Sequence, residues 1–148
     1  MDFEETAHAI IDAGAYMTLA TADADGVPWA SPVWFAHEDH RRFYWVSRPD
    51  RQHSRNLAAR PRLSFAIFDS HAPISTGKGV FVAAHGERLS GDELEHGIRI
   101  FSARSLAHGG TAWTAEDVTG DARLRLYRAT AIERWTGDRN EDRVLLPA

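Results

Sequence analysis

FYWVSRPDRQHSRNL, residues 43–57, runs from a strongly β-coded segment straight into a helix start. Phe43, Tyr44, Trp45 and Val46 are the aromatic and branched residues that strands favour. Asp50 is the expected N-cap of a helix over 50–60, and Pro61 ends it. At such a start the first backbone N–H groups and the positive end of the helix dipole are free for an anion. Arg51, Gln52, His53 and Ser54 add charge and donors. The arrangement suits a phosphate. Taken alone it is equally a solvated amphipathic helix start, so the weight rests on the surrounding order of elements.

Upstream, residues 3–13 carry Phe3, Ala7, Ile10 and Ile11 on one helical face. Alternation predicts strands over 15–21 and 27–35, joined by an Asp25-Gly26 turn that favours positive φ. Pro28 and Pro32 sit inside the second strand, and proline cannot donate to a ladder. That strand is therefore an edge, a bulge or an opening where a ligand can meet the main chain. Residues 37–42 read as a polar turn before the strand 42–47.

Downstream, strands are expected over 62–69 and 78–89, separated by a loop at 71–77. Ser90 and Glu93 form the pattern of a capping box on a helix running to about residue 106. An irregular stretch at 108–120, with a short turn of helix at 115–118, precedes a long last strand at 122–135 and a polar tail. Six strands joined mostly by hairpins, with a helix crossing between the third and fourth, predict a mainly β fold. The expected architecture is a six-stranded antiparallel split β-barrel with a few flanking helices.

Composition narrows the function classes. A chain of 148 residues with 43% hydrophobic and 26% charged content fits one domain over 1–148 with a real core. The net charge of −4 argues against nucleic-acid binding as the main task, although Arg residues concentrate in 41–62 and 123–134. With no cysteine, disulfides and thiolate chemistry are excluded. The acidic N-terminus is not a signal peptide, no run is long enough for a membrane span, and a cytoplasmic location is the expectation.

The order of motifs resembles the pyridoxamine 5′-phosphate oxidase-like family of FMN-binding split barrels. YMTLATADADGVPWASPVWF (16–35) is similar to the family's opening hairpin, and FYWVSRPDRQHSRNLAARPRLSFAIFD (43–69) to its flavin strand, phosphate helix and following strand. GKGVFVAAHGERLS (77–90) and LRLYRATAIERW (124–135) resemble the fifth and last strands. The resemblance implies an FMN-dependent oxidoreductase acting on a small molecule, with the cofactor at a homodimer interface.

Residue by residue, it places Arg51, Gln52, His53 and Ser54 on the phosphate and Val46 and Ser47 at the end of the strand under the flavin. It places Ala30, Ser31, Pro32 and Val33 along the isoalloxazine ring. Lys78 and Gly79 fall where relatives often carry a glutamine near the ring, and Trp135 matches a tryptophan from the second subunit.

Two departures bear on the substrate. Relatives often have Ser-Arg-Lys on the phosphate helix where this chain has Arg51-Gln52-His53. The oxidase's arginine- and histidine-bearing substrate motif is replaced by Thr136-Gly137-Asp138-Arg139-Asn140, which points away from pyridoxamine phosphate. The runner-up is the deazaflavin F420, whose acidic tail would use Arg48, Arg55 and Arg62. A non-catalytic flavin- or haem-binding module is the third reading.

Other constellations are weaker. Gly77-Lys78-Gly79 precedes a strand and reads as a turn, not a phosphate loop. His37 and His40 could chelate a metal across their turn, but the plainer reading is a polar turn and no metal site is expected. No Ser-His-Asp order or paired acid suggests a nucleophile, so catalytic residues stay unassigned. Trp29, Trp34 and Trp45 are expected in the core or a dimer interface, with at least one at the interface.

Overall fold

The computed structural model describes residues 2–137 and 142–148. The helices are α1 (Phe3–Ala13), α2 (Gln52–Ala59) and α3 (Gly91–Ala107). The strands are β1 (Tyr16–Ala22), β2 (Pro28–Trp34), β3 (Ala36–Glu38), β4 (Arg42–Ser47), β5 (Arg62–Phe68), β6 (Gly79–Arg88), β7 (Arg125–Gly137) and β8 (Arg143–Leu145). They form one antiparallel sheet in the order β2-β1-β5-β6-β7-β4-β3, with β8 added to β7. The sheet curls until β2 meets β4 across the opening, giving the half-barrel expected from the pattern.

The prolines do what their chemistry dictates. Among the described residues β2 is an edge strand bonded only to β1, with Pro28 opposite Ala22 and Pro32 opposite Thr18. An edge tolerates two residues that cannot donate.

β4 explains the near-continuous apolar run that opened the sequence reading. Phe43 and Trp45 point into the barrel with Met17, Leu19, Phe65 and Val82. Tyr44 points outward into a second core with Leu94, Ile98, Phe101 and Leu126 under α3. Both faces of β4 are buried over Phe43–Trp45, so that stretch shows no polar alternation. Close approach of the two layers depends on Gly97, where an added Cβ would lie 2.8 Å from Tyr44 Cε1.

Four local expectations need correction. Asp50 is not the N-cap of α2: Arg48 holds its carboxylate in two bonds, and the cap position falls to Arg51 without a side-chain cap. Ser90 occupies the N-cap of α3 but makes no side-chain capping bond, and the Glu93 side chain turns to Arg128 at 3.3 Å, so the capping box does not form. The polar turn at 37–42 overlaps β3, and positive φ at Asp39 (56°) and His40 (54°) closes a tight hairpin to β4. The tail is not simply polar, since Arg143–Leu145 pairs with β7 and Leu146 is buried. Residues 138–141, which include most of the segment replacing the oxidase's substrate motif, lie outside the described residues.

Candidate functional site

One cavity of about 1040 Å³ lies between the end of β2, the end of β4, the start of α2 and the C-terminal half of α3 with the loop after it. That is the upper end of the size range of small-molecule sites. The sequence-derived residues Ser31, Pro32, Val33, Val46, Ser47, Arg51, Gln52 and His53 all line it. Ala30, Ser54, Lys78, Gly79 and Trp135 do not. Ala30 is exposed on β2, and Ser54 is buried in the first turn of α2 with its hydroxyl unpartnered among the described residues. Lys78 lines a separate groove against α1, Gly79 starts β6, and Trp135 pairs with Phe81 and Leu145.

The cations at the helix start are not equivalent. Arg48 is spent on Asp50, at 3.0 and 2.6 Å. That pairing holds the Asp50 carboxyl below its usual range. Arg55 binds the Asp50 carbonyl and Gln52 Oε1. Arg51 is exposed, lines the cavity and makes no side-chain hydrogen bond or ion pair among the described residues. The first turn of α2 lacks a side-chain cap, so its leading N–H groups are also available. A free guanidinium beside an uncapped helix start is the donor set a phosphate needs.

The helix is held rigidly beneath. Asn56 donates to Thr21 Oγ1 at 3.0 Å and accepts from Gln52 Nε2 at 2.7 Å, tying α2 to β1. His53 Nε2 meets Ser47 Oγ at 2.7 Å, tying α2 to the end of β4. His53 and Leu57 are both buried on the barrel-facing side, as their spacing of one turn requires.

The opposite wall escaped the sequence reading. Phe101, Ser105, His108, Gly110, Thr111 and Trp113 complete the cavity. Phe101 meets Trp34 edge-on at 5.2 Å and Trp113 at 5.4 Å. The loop is stapled back to α3 by Gly110 N–H to Ser105 O at 2.8 Å and by Trp113 N–H to Ser102 Oγ at 2.8 Å. Gly110 is required there, because a Cβ would fall 2.5 Å from Ser105 Oγ. A tryptophan just after a Gly-Gly pair in a stretch without periodicity was the available signal. Of the three strand tryptophans, Trp45 is core, while Trp29 and Trp34 line the cavity.

Burial has a pH consequence. Desolvation pushes His53 below the ordinary histidine value, helped by the nearby Arg51 charge. His37 is lowered by burial and by His40, and His8 by burial and by His40. Below about pH 6.5 the unfolded chain takes up protons that these folded-state histidines refuse, so the unfolded state binds more protons. Stability should then fall as pH drops through about 6.5 and stay level just above it. Urea midpoints measured from neutral to mildly acidic pH test this. A flat profile down to about pH 5, where only carboxylates begin to titrate, would contradict the burial argument.

Comparison with known proteins places this geometry. The family model described as pyridoxamine 5′-phosphate oxidase matches residues 3–136. The chain belongs to the pyridoxamine 5′-phosphate oxidase family. It is 30% identical over 138 residues to a pyridoxine/pyridoxamine 5′-phosphate oxidase of Burkholderia multivorans, covering 92% of this chain and 61% of that protein. The chain thus spans about three-fifths of the length of the curated oxidases it matches. Among solved structures of the family fold, a heme binding protein from Mycobacterium smegmatis superposes with a TM-score of 0.74 at 22% identity, covering 93% of this chain and 54% of that one. An F420 reductase superposes with a TM-score of 0.63 at 19% identity, covering 86% and 94%. No helix among the described residues is long and apolar enough to cross a membrane.

Proposed function

We propose that this chain is an FMN-binding oxidoreductase of the family, working as a homodimer on a small molecule other than pyridoxamine 5′-phosphate. The observation that carries this reading is the unspent Arg51 at the uncapped start of α2, facing the same cavity as β2 and β4. In this reading Arg51 and the α2 N–H groups hold the phosphate, while Ser31–Val33 and Val46–Ser47 flank the ring. FMN, when bound, supplies the hydride and electron chemistry. The wall of Trp34, Phe101 and Trp113 excludes water and shapes the substrate side. Lys78 and Trp135, outside this cavity, act on the cofactor of the second subunit.

A homodimer also accounts for apolar exposure. Tyr16, Val27, Trp29 and Phe68 are each at least half exposed. Tyr16 and Phe68 line one groove, and cover by a second subunit would take such side chains out of water. The deazaflavin F420 is the second choice, since a reductase using it shares the fold. Of the cations its acidic tail would use, Arg48 is committed to Asp50 and Arg55 to Gln52, while Arg62 is exposed and outside the lining of this cavity.

Sedimentation velocity of the FMN-reconstituted chain, recorded in the visible flavin band, tests both parts together. A single flavin-carrying dimer is expected. Flavin co-sedimenting with a monomer would remove the shared site. A colourless protein that takes up F420, or one that develops a Soret band with haem, would replace FMN by the respective rival.

A further inference from the structure

We propose that Asp12, His37 and His40 form a binding site for a divalent transition-metal ion of the zinc class, clipping α1 to the β3–β4 hairpin. Asp12 Oδ1 lies 2.8 Å from His37 Nε2 and 2.8 Å from His40 Nε2. All three ligand atoms fall within 4.8 Å of one another. The carboxylate comes from the last turn of α1, and both imidazoles come from the hairpin, so one ion would join two elements distant in sequence. Two imidazoles and one carboxylate are a ligand set that zinc accepts, with the remaining position left to water.

Geometry favours closure around an ion. Ligand atoms at about 2.1 Å in a tetrahedron stand roughly 3.4 Å apart, so the two 2.8 Å spacings to Asp12 need to open by about half an ångström, and the two imidazole nitrogens already lie within 4.8 Å of each other. The imidazoles are fixed in advance. His40 is placed by the left-handed turn and stacks on His8, with ring centres 3.9 Å apart and planes within 9°. His37 and His40 side chains are 12% and 21% exposed and Asp12 is 57% exposed, so the carboxylate side is open to entry from solvent.

Protonation favours it as well. Burial and the neighbouring His40 hold His37 below the ordinary histidine value, which favours the neutral form that a ligand needs. Burial opposes ionisation of Asp12, but the hydrogen bonds from His40 and His37 hold it as the carboxylate. In the metal-free arrangement both Nε2 atoms lie within hydrogen-bond distance of one carboxylate oxygen, and an ion bound there requires the proton of each neutral ring to sit on Nδ1.

Two features oppose the site and limit its strength. Arg104 lies close enough to act on His37 and donates to the Asp12 and Gly14 carbonyls at 3.2 and 2.7 Å. His37 Nδ1 accepts the His40 backbone N–H at 3.3 Å, and ligation through Nε2 moves the ring proton onto that nitrogen. The lost bond is a long one, so the cost is small. Affinity should therefore be moderate and should rise with pH, because protons compete with the metal for its ligand atoms. Hard cations, which demand oxygen ligands, should not compete.

The test uses the full untagged chain, stripped with chelator and titrated with Co2+ and then Zn2+ at about pH 7.5, where metal-ligand histidines are neutral. One saturable site per chain is expected, with visible Co2+ bands of a low-coordinate nitrogen–oxygen site that Zn2+ displaces and Mg2+ does not. Asp12→Asn and His40→Gln should each weaken Zn2+ binding at least about tenfold, as loss of one protein ligand in three requires. His71→Gln, at a highly exposed loop histidine, should leave it unchanged. Circular dichroism checks that the variants are folded, and Asp12→Asn decides alone if His40→Gln unfolds the hairpin. Absence of a saturable Co2+ spectrum, or Zn2+ binding that survives Asp12→Asn, would reduce the trio to a hydrogen-bonded clip and overturn the proposal.

Discussion

Arg51→Ala should weaken FMN binding by about 1.5–3 kcal/mol, the range for a hydrogen bond to a charged group. The FMN phosphate carries close to two negative charges, and the planar guanidinium can meet two of its oxygens at once. No neighbouring arginine can take over without breaking its own contacts. Arg48 would have to release Asp50, and Arg55 would have to release Gln52 and the Asp50 carbonyl. The side chain of Arg51 is exposed and unpaired among the described residues, so its removal should leave the fold intact. Riboflavin lacks the phosphate, and its affinity should change little. Titration of both flavins into wild-type and variant protein separates the outcomes. Equal losses for FMN and riboflavin would show that Arg51 acts on the ring or on the fold, and the phosphate site would have to move elsewhere on α2.

Most of the fold could be read in the chain because its signals are local. The alternation of β1 and β5, the Asp-Gly turn and the two prolines of β2 each constrain the backbone within a few residues. Half of the cavity was legible for the same reason, since a strand running into a polar helix start is a contiguous motif. The misses were decided by partners far away in sequence. Asp50 and Glu93 both looked like caps, and each was captured by an arginine whose position only the tertiary structure sets. The loop after α3 that carries Thr111 and Trp113 has no periodicity of its own, because stapling bonds to α3 shape it. The His37 and His40 turn looked merely polar, as the carboxylate that completes the trio lies 25 residues upstream of His37.

Trp45→Ala should destabilise the chain by about 3–5 kcal/mol, the range for truncating a buried aromatic. Trp45 is fully buried and is first among the largest enclosed side chains. It stacks on Tyr127 with ring centres 5.7 Å apart and planes within 13°. Its loss would open a void in the barrel beneath Val46 and Ser47, which form part of the cavity floor. The indole has a weakness, however: Nε1 is buried with no hydrogen-bond partner among the described residues. An unmet buried donor costs about 1–3 kcal/mol. Trp45→Phe removes that donor while keeping a ring against Tyr127, so its smaller void is partly offset. The phenylalanine variant should therefore lose less than half of what the alanine variant loses. Urea unfolding of the three proteins at neutral pH gives the comparison. Equal losses for Phe and Ala would mean that Nε1 is satisfied, by water or by a partner subunit, and that the indole N–H contributes to stability.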